Sequence, residues 1–425
     1  MSSVQILKGN ILYSKDPTSI AVAPHGFLVA VEGTVEGVYD QLPDRFSACP
    51  TEDFGDALIL PGMTDLHLHA PQYTFRGTGM DLELLEWLQT YTFPEEAKYG
   101  DPDYAETAYS AFAERLRRSA TTRACIFATL HTDATLRLME LLENTGLSTM
   151  VGKVNMDRNS PAYLCEADAA ASIAETKRWL KAVKARGFQK TQPILTPRFI
   201  PSCSDALLEE LAALHRNEGL PVQSHLSENP SEVQWVKELC PWAETYGDAY
   251  DRFGLFGSGG KTIMAHCVYS PDAEIEKMKA QKVFVAHCPE SNINLSSGVA
   301  PVKRYLAEGL QVGLGTDLAA GSSENLFAAM AYAIQASKLR WRLQDDRWKP
   351  LTVAEAFYMA TKGGGAFFGK VGSFEKGYAL DALVIDDARL TGGRPMEPLK
   401  RLERAIYLAD EREIRAKYVG GAKLF

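Results

Sequence analysis

The sequence predicts an α/β protein: a (β/α)8 TIM-like barrel carrying a small β-sandwich domain built from the N- and C-terminal segments. Three observations predict it. Eight short apolar runs of strand length, separated by longer amphipathic stretches, follow one another from residue 57 onward. Segments rich in β-branched residues and punctuated by Gly, Pro and Asn, with no helical period, stand at both ends of the chain. Five of the eight histidines fall in or at the ends of the expected parallel strands, where barrels of this kind build their sites. The division that follows is a small β domain over residues 1–56 plus 370–425 and a (β/α)8 barrel over 57–369 that carries the clustered histidines.

At the N-terminal end, residues 6–13, 20–23 and 27–37 read as short strands. The eight runs of the barrel are 58–69, with Pro61-Gly62 inside it, then 124–130, 149–155, 194–199, 222–226, 262–268, 283–287 and 312–318. Between them helical spacing covers 104–118, 134–143, 167–185, 204–217 and 272–280. In the fourth of these, Ser204-Asp205 caps a stripe of Leu207, Leu208, Leu211 and Leu214 that faces the sheet and leaves Glu210 and His215 outside it. Two further helices, 324–342 and 353–361, run into a Gly363-Gly364-Gly365 stop, and the tail over 378–425 returns to strands.

With 45 Lys+Arg against 54 Asp+Glu, the net charge of -9 argues against a nucleic-acid or anionic-membrane surface. No run approaches the roughly 18 apolar residues of a membrane span. The start, residues 1–8, lacks a basic region followed by an apolar stretch, so no signal peptide and a cytoplasmic enzyme are expected. The seven cysteines are odd in number and widely spaced, which reads as reduced, mostly buried thiols. They contain no Cys-x-x-Cys pair, which removes the zinc arrangement of nucleic-acid-type deaminases and leaves His and carboxylates as metal donors.

His67 and His69, in Asp65-Leu66-His67-Leu68-His69, lie two apart and therefore on one face of a strand, with Leu66 and Leu68 on the other. Two imidazoles so placed can share a metal. His225 ends the fifth run, His266 the sixth, and Asp317 the eighth in Gly315-Thr316-Asp317. Three or four nitrogens plus one carboxylate suit Zn²⁺ or Fe²⁺ with a position open for water. The fourth run, Ile194-Leu195-Thr196-Pro197-Arg198-Phe199, has no lysine to bridge two metals, which favours one. Glu228, three residues beyond His225, is read as a proton shuttle, with a capping acid before the Pro230 helix as the alternative. His25 and His215 are read as structural, His131 as a cap of the next helix, and His287 as a residue that orients the loop around the metal.

With these residues in place, the chain resembles the metal-dependent amidohydrolase superfamily, whose pattern of paired His on strand one, His on strands five and six and Asp on strand eight it matches. Pro61-Gly62-Met63-Thr64-Asp65-Leu66-His67-Leu68-His69, His287-Cys288-Pro289-Glu290-Ser291-Asn292 and the Gly372-Ser373 to Asp381-Ala382-Leu383-Val384 region look like members acting on nitrogen heterocycles. A narrower resemblance is to the branch that deaminates guanine. It rests on Ala70-Pro71-Gln72-Tyr73, Leu84-Leu85-Glu86-Trp87-Leu88 with Tyr91-Thr92-Phe93-Pro94-Glu95, Thr196-Pro197-Arg198-Phe199 and Ser224-His225-Leu226-Ser227-Glu228-Asn229. Ala320 departs from the usual Gly of that branch.

The resemblance implies one Zn²⁺ on His67, His69, His225 and Asp317, Fe²⁺ not being excluded, with His266 beside the water. It implies a purine held by Gln72, Arg198 and Phe199, with His225, Glu228 and Asp317 also against it, and Glu228, Asp317 and His266 as catalytic residues. The implied reaction is hydrolytic deamination of guanine to xanthine and ammonia by a homodimer. Two rivals stand beside it: a deaminase or hydrolase of 8-oxoguanine, cytosine, adenosine or a triazine, and a silent scaffold, which the intact donor set argues against.

Overall fold

The computed structural model describes residues 3–425; Met1 and Ser2, which open the segment read as carrying no signal peptide, lie outside the described residues. Strands and helices alternate through most of the chain, which is α/β. Met63–His69, Thr121–Phe127, Ser148–Gly152 and Thr191–Pro193 pair in parallel in that order. Val222–Leu226, Thr262–His266, Phe284–His287 and Gln311–Leu314 form a second parallel set of four. Leu195 bridges to Val222 between the two sets, and beside it Thr196–Pro197 pairs with Val154–Asn155. At the far edge the chain beyond Leu314 meets the first strand again: Asp317 N donates to His67 O at 2.8 Å and His69 N to Leu318 O at 3.1 Å.

These strands are buried on both faces because helices cover them. Every residue of Met63–His69 and Val222–Leu226 is buried. The covering helices have the expected signatures. Pro102–Arg118 starts at Asp101, whose side chain accepts from Asp103 N, and ends in Arg115, Arg117 and Arg118, each suited to its end of the helix dipole. Its Ala105, Ala108, Tyr109, Phe112, Ala113 and Leu116 form the buried stripe. Asp205–Glu218 is capped by Ser204. His215 on that helix is buried, not outside as expected, because the chain turns back at Gly219 (φ 66°) and brings the Leu220 carbonyl onto its ring Nδ1.

The two chain ends meet in one mixed sheet of seven strands, in the order Ala422–Lys423, Ile414–Val419, Ala382–Ile385, Thr51–Pro61, Val4–Asp16, Ser19–Val31, Thr34–Tyr39. By pairing this is a single sheet where two packed sheets were expected. The reason is Thr51–Pro61, which pairs parallel with Val4–Asp16 on one side and antiparallel with Ala382–Ile385 on the other, and so joins the N-terminal strands to the C-terminal ones.

The expected strands 20–23 and 27–37 are Ser19–Val31 and Thr34–Tyr39, and the runs 149–155 and 194–199 each divide, into Ser148–Gly152 with Val154–Asn155 and Thr191–Pro193 with Thr196–Pro197. Three further element readings change. The run 58–69 is two strands: residues 58–61 pair with Ala382–Ile385, and the parallel set begins at Met63. Gly62 marks the crossing, where a Cβ would lie 2.3 Å from Thr122 Oγ1. The glycines at 363–365 do not stop the helix; a Cβ on Gly365 would lie 2.4 Å from the Val371 carbonyl, so they permit close packing while the backbone winds on to Ala366–Phe368. The tail, expected as strands, contains the helix Pro398–Leu408, which buries Leu402, Ala405 and Ile406. Among the described residues no helix is long and apolar enough to cross a membrane. All seven cysteines are free, five of them buried.

Candidate active site

The parallel strands deliver their C-terminal ends to one place. His67 and His69 close Met63–His69, His225 lies near the end of Val222–Leu226, His266 ends Thr262–His266, and Asp317 follows Gln311–Leu314 by three residues. His67 Nε2 lies 3.2 Å from Asp317 Oδ1; His69 Nε2 lies 3.5 Å from the same oxygen and 3.2 Å from His225 Nε2. His266 Nε2 is 3.4 Å from Glu228 Oε2 and 3.8 Å from Asp317 Oδ2. All of these side chains are buried or nearly so.

The ring orientations follow from their outer nitrogens. His225 Nδ1 donates to the Arg198 carbonyl at 2.6 Å and His266 Nδ1 to Asn292 Oδ1 at 2.9 Å, so each Nε2 turns a lone pair inward. His67 Nε2 and His266 Nε2 are buried without a hydrogen-bond partner, and the Nε2 atoms of His69 and His225 face each other. Converging acceptors without donors are costly in a dry site; a cation between them removes the cost. The donor atoms of His67, His69 and His225 lie within 4.8 Å of one another, as do those of His67, His266, Cys288 and Asp317, so these residues fit a bound metal. Cys288 enters only as a neighbour, because burial keeps its thiol protonated, well above the ordinary cysteine range.

Protonation states agree with that fit. Burial, reinforced by neighbouring imidazoles, holds His69 and His225 well below the ordinary histidine value, so both are neutral. Burial opposes ionisation of Asp317, but His67, His266 and His69 outweigh it and hold its carboxyl well below the usual range. Glu228 goes the other way: burial, then Asp317 and Glu232, push it well above the usual range, so it keeps its proton.

The backbone around Glu228 frees its side chain. Ser227 turns through a left-handed φ of 49°, and Asn229, not Glu228, caps Pro230–Leu239 by accepting from Ser231 N. Glu232 reaches back, its Oε2 accepting from Glu228 N at 2.9 Å while its Oε1 takes the Tyr246 hydroxyl at 2.7 Å. The capping alternative for Glu228 therefore falls.

A pocket of about 410 Å³ opens between this cluster and a second wall bearing Gln72, Arg198 and Phe199, with Leu84, Trp87 and Leu88 closing it. Phe199 is held by an edge contact with Trp235, ring centroids 6.1 Å apart. Two buried carboxylates behind these walls escaped the sequence. Glu96 pairs with both Arg198 and Gln72. Asp65 accepts from Thr316 N at 3.0 Å, Thr316 Oγ1 at 2.6 Å and His67 N at 3.2 Å, tying the first strand to the loop of Asp317. Asp65 stood beside the histidines as a visible signal, whereas nothing in Glu95-Glu96 says which of the two turns inward. His131 makes no side-chain cap bond and lines a separate cavity, so its expected role is corrected. His287 is buried with both ring nitrogens unpartnered, held down to about 3 by burial and by His266.

Neutral imidazoles and an ionised carboxylate converging at parallel strand ends, beside a protonated carboxyl and a pocket, describe a metal-dependent hydrolase. Residues 58–423 match the Amidohydrolase family. The chain is 35% identical to the guanine deaminase of Dictyostelium discoideum, over 99% of this chain and 98% of that one. It is 37% identical to the guanine deaminase of Homo sapiens over 86% of this chain and 82% of that one. The crystal structure of guanine deaminase from C. acetobutylicum with guanine in its active site is similar throughout, with a TM-score of 0.96 and 46% identity covering 100% of both chains. The chain belongs to the amidohydrolase family and, within it, to the guanine deaminases.

Proposed function

We propose that this chain hydrolyses guanine to xanthine and ammonia, at the mouth of a (β/α)8 barrel over residues 57–369 with the small β domain of 1–56 and 370–425 beside it. The Leu195–Val222 bridge and the bonds joining Asp317 and Leu318 to the first strand support barrel closure. One observation carries the function: a single pocket has hydrogen-bond donors on one wall, from Gln72 and Arg198, and the His/Asp cluster with protonated Glu228 on the other. A flat heterocycle with a carbonyl at one end and an amino group at the other matches both walls.

His67, His69, His225 and Asp317 would hold one divalent cation, Zn²⁺ by donor type, with Fe²⁺ fitting the same set. When bound, it supplies activation of water near neutral pH. The rest is done by the chain. Ionised Asp317, with the inward lone pair of His266 beside it, accepts the proton that the water gives up and returns it to the amino nitrogen, which leaves as ammonia. Glu228 carries the proton needed by the ring nitrogen beside the amino-bearing carbon, so that negative charge does not build up there. Arg198 offers its planar fork to the purine carbonyl, and Phe199 flanks the ring. A small purine as partner, without nucleic acid or membrane, is supported by the acidic charge balance and the family, and a cytoplasmic homodimer completes the reading.

The test is ultraviolet absorbance of zinc-loaded protein with guanine, ammonia being assayed in parallel and adenine, cytosine and 8-oxoguanine run separately. Guanine loss matched by xanthine and ammonia is expected. No turnover of guanine by protein holding one metal per chain would move the reading to another heterocycle.

A further inference from the structure

We propose that Glu96 is the positioning residue that sets specificity for a 6-oxo over a 6-amino purine, by fixing Gln72 and Arg198 as a wall whose free N–H donors outnumber its acceptors. The inference rests on the functional reading above. Glu96 does not border the pocket; it works from behind it. Its Oε2 accepts from Arg198 Nη1 at 2.6 Å, and its Oε1 accepts from Arg198 Nη2 at 3.2 Å and from Gln72 Nε2 at 3.0 Å. The side chains are sealed, Glu96 1% and Arg198 3% exposed, so solvent offers no substitute partner.

The donor arithmetic decides what the wall can read. The one acceptor atom of Gln72 is Oε1, and the Ala319 N–H takes one of its two lone pairs at 3.2 Å. Its Nε2 spends one hydrogen on Glu96, which fixes the amide orientation, since the flipped amide would turn Oε1 on a carboxylate and Nε2 on an N–H. Arg198 spends two of its five N–H groups on Glu96, and its guanidinium lies 5.0 Å from the centre of the Phe93 ring. One amide N–H and three guanidinium N–H groups are left, against a single remaining lone pair on Gln72 Oε1. A carbonyl entering this wall finds donors. An amino group meets N–H against N–H in a desolvated site, and sites built to hydrogen-bond one group reject its mismatch strongly. The same carboxylate neutralises the buried guanidinium, so orientation and charge depend on one residue.

The experiment compares Glu96→Gln and Glu96→Asp with wild type in three readouts. These are kcat/KM for guanine, the Kd of the fluorescent analogue 2-aminopurine, which lacks the 6-oxygen, and the Ki of 2,6-diaminopurine, which has an amino group there. Metal content and thermal melting are followed alongside. For Glu96→Gln the expected result is a fall of about 10²-fold in kcat/KM for guanine, about one good charge-assisted contact. The Kd of 2-aminopurine should stay within about threefold, and 2,6-diaminopurine should bind better relative to guanine because only the Ala319 N–H, and no longer a carboxylate, opposes the flip of the Gln72 amide. Equal losses for guanine and 2-aminopurine would reduce Glu96 to a packing role and overturn the proposal, as would an unchanged preference. If Glu96→Gln does not fold, Glu96→Asp, which keeps the charge and shortens the reach, must show the same divergence in smaller degree, and parallel losses overturn it. Failure of wild type to deaminate guanine would strike the functional reading instead, before any variant is compared.

Discussion

Glu228 shows how surroundings turn an ordinary carboxyl into an acid. It is buried, faces Asp317 and Glu232, and is excused from capping by Asn229, so it holds a proton where the cluster needs one. Glu228→Gln keeps shape and removes proton transfer; turnover should drop about 10²- to 10⁴-fold with metal content unchanged. Unchanged turnover by a metal-replete variant would end its assigned role. The inward lone pairs make a second prediction. Stripping divalent metal with a chelator should abolish activity and lower the melting temperature, and Zn²⁺ should restore both, because a cation that binds only the folded state stabilises it. Melting that ignores the metal would contradict the donor fit. These residues were legible in the sequence because metal chemistry restricts donors to few residue types, and two-residue spacing places His67 and His69 on one face. Glu96 was not, since Glu95 beside it bonds outward to Thr74 and Lys98, and only the packed helix distinguishes the two.

At the scale of elements, the site depends on two chain segments staying joined, and Asp65 joins them. Its carboxylate takes three hydrogen bonds, two from Thr316 and one from the His67 backbone, and so holds the loop of Asp317 against the first strand. Asp65→Ala would leave three buried donors unpaired at about 1–3 kcal/mol each. The expected outcome is a melting temperature lower by several degrees and metal affinity weakened about 10- to 100-fold in chelator competition, as for other residues that orient ligands. Wild-type affinity in the variant would show that the loop holds itself. Strand order was readable because parallel strands covered by helices must be apolar on both faces. Strand limits were less so: residues 58–61 and Met63–His69 run on as one stretch of buried residues, and the close approach of Thr122 to Gly62 marks where they divide between two sheets. The helix Pro398–Leu408 escaped because its stripe is brief and set among charged residues.

For the whole molecule, the seven-stranded sheet is fastened to the parallel strands by charged groups at a dry seam. Arg123 grips Asp381 through two bonds of 2.7 and 3.2 Å. Lys417, from Ile414–Val419 and fully buried, donates to the Arg117 and Ser119 carbonyls at 2.9 Å each, at the end of Pro102–Arg118. A cation suits a helix C-terminus, yet burial dominates and, with Arg117, holds the Lys417 ammonium well below the ordinary lysine range. The two carbonyls need only two N–H groups, which the neutral amine also has. Between the depressed native value and the ordinary value near 10.4, the unfolded chain binds the proton more fully than the native one, so stability rises with pH by up to about 1.4 kcal/mol per unit. Lys417→Met keeps the length and removes the titration. Urea midpoints of both proteins from pH 7 to 9.5 should therefore diverge, wild type gaining on the variant as pH rises, while every other titrating group cancels in the difference. Parallel curves would mean that Lys417 keeps its proton in the fold as readily as in water, and that the seam is wetter than its packing indicates.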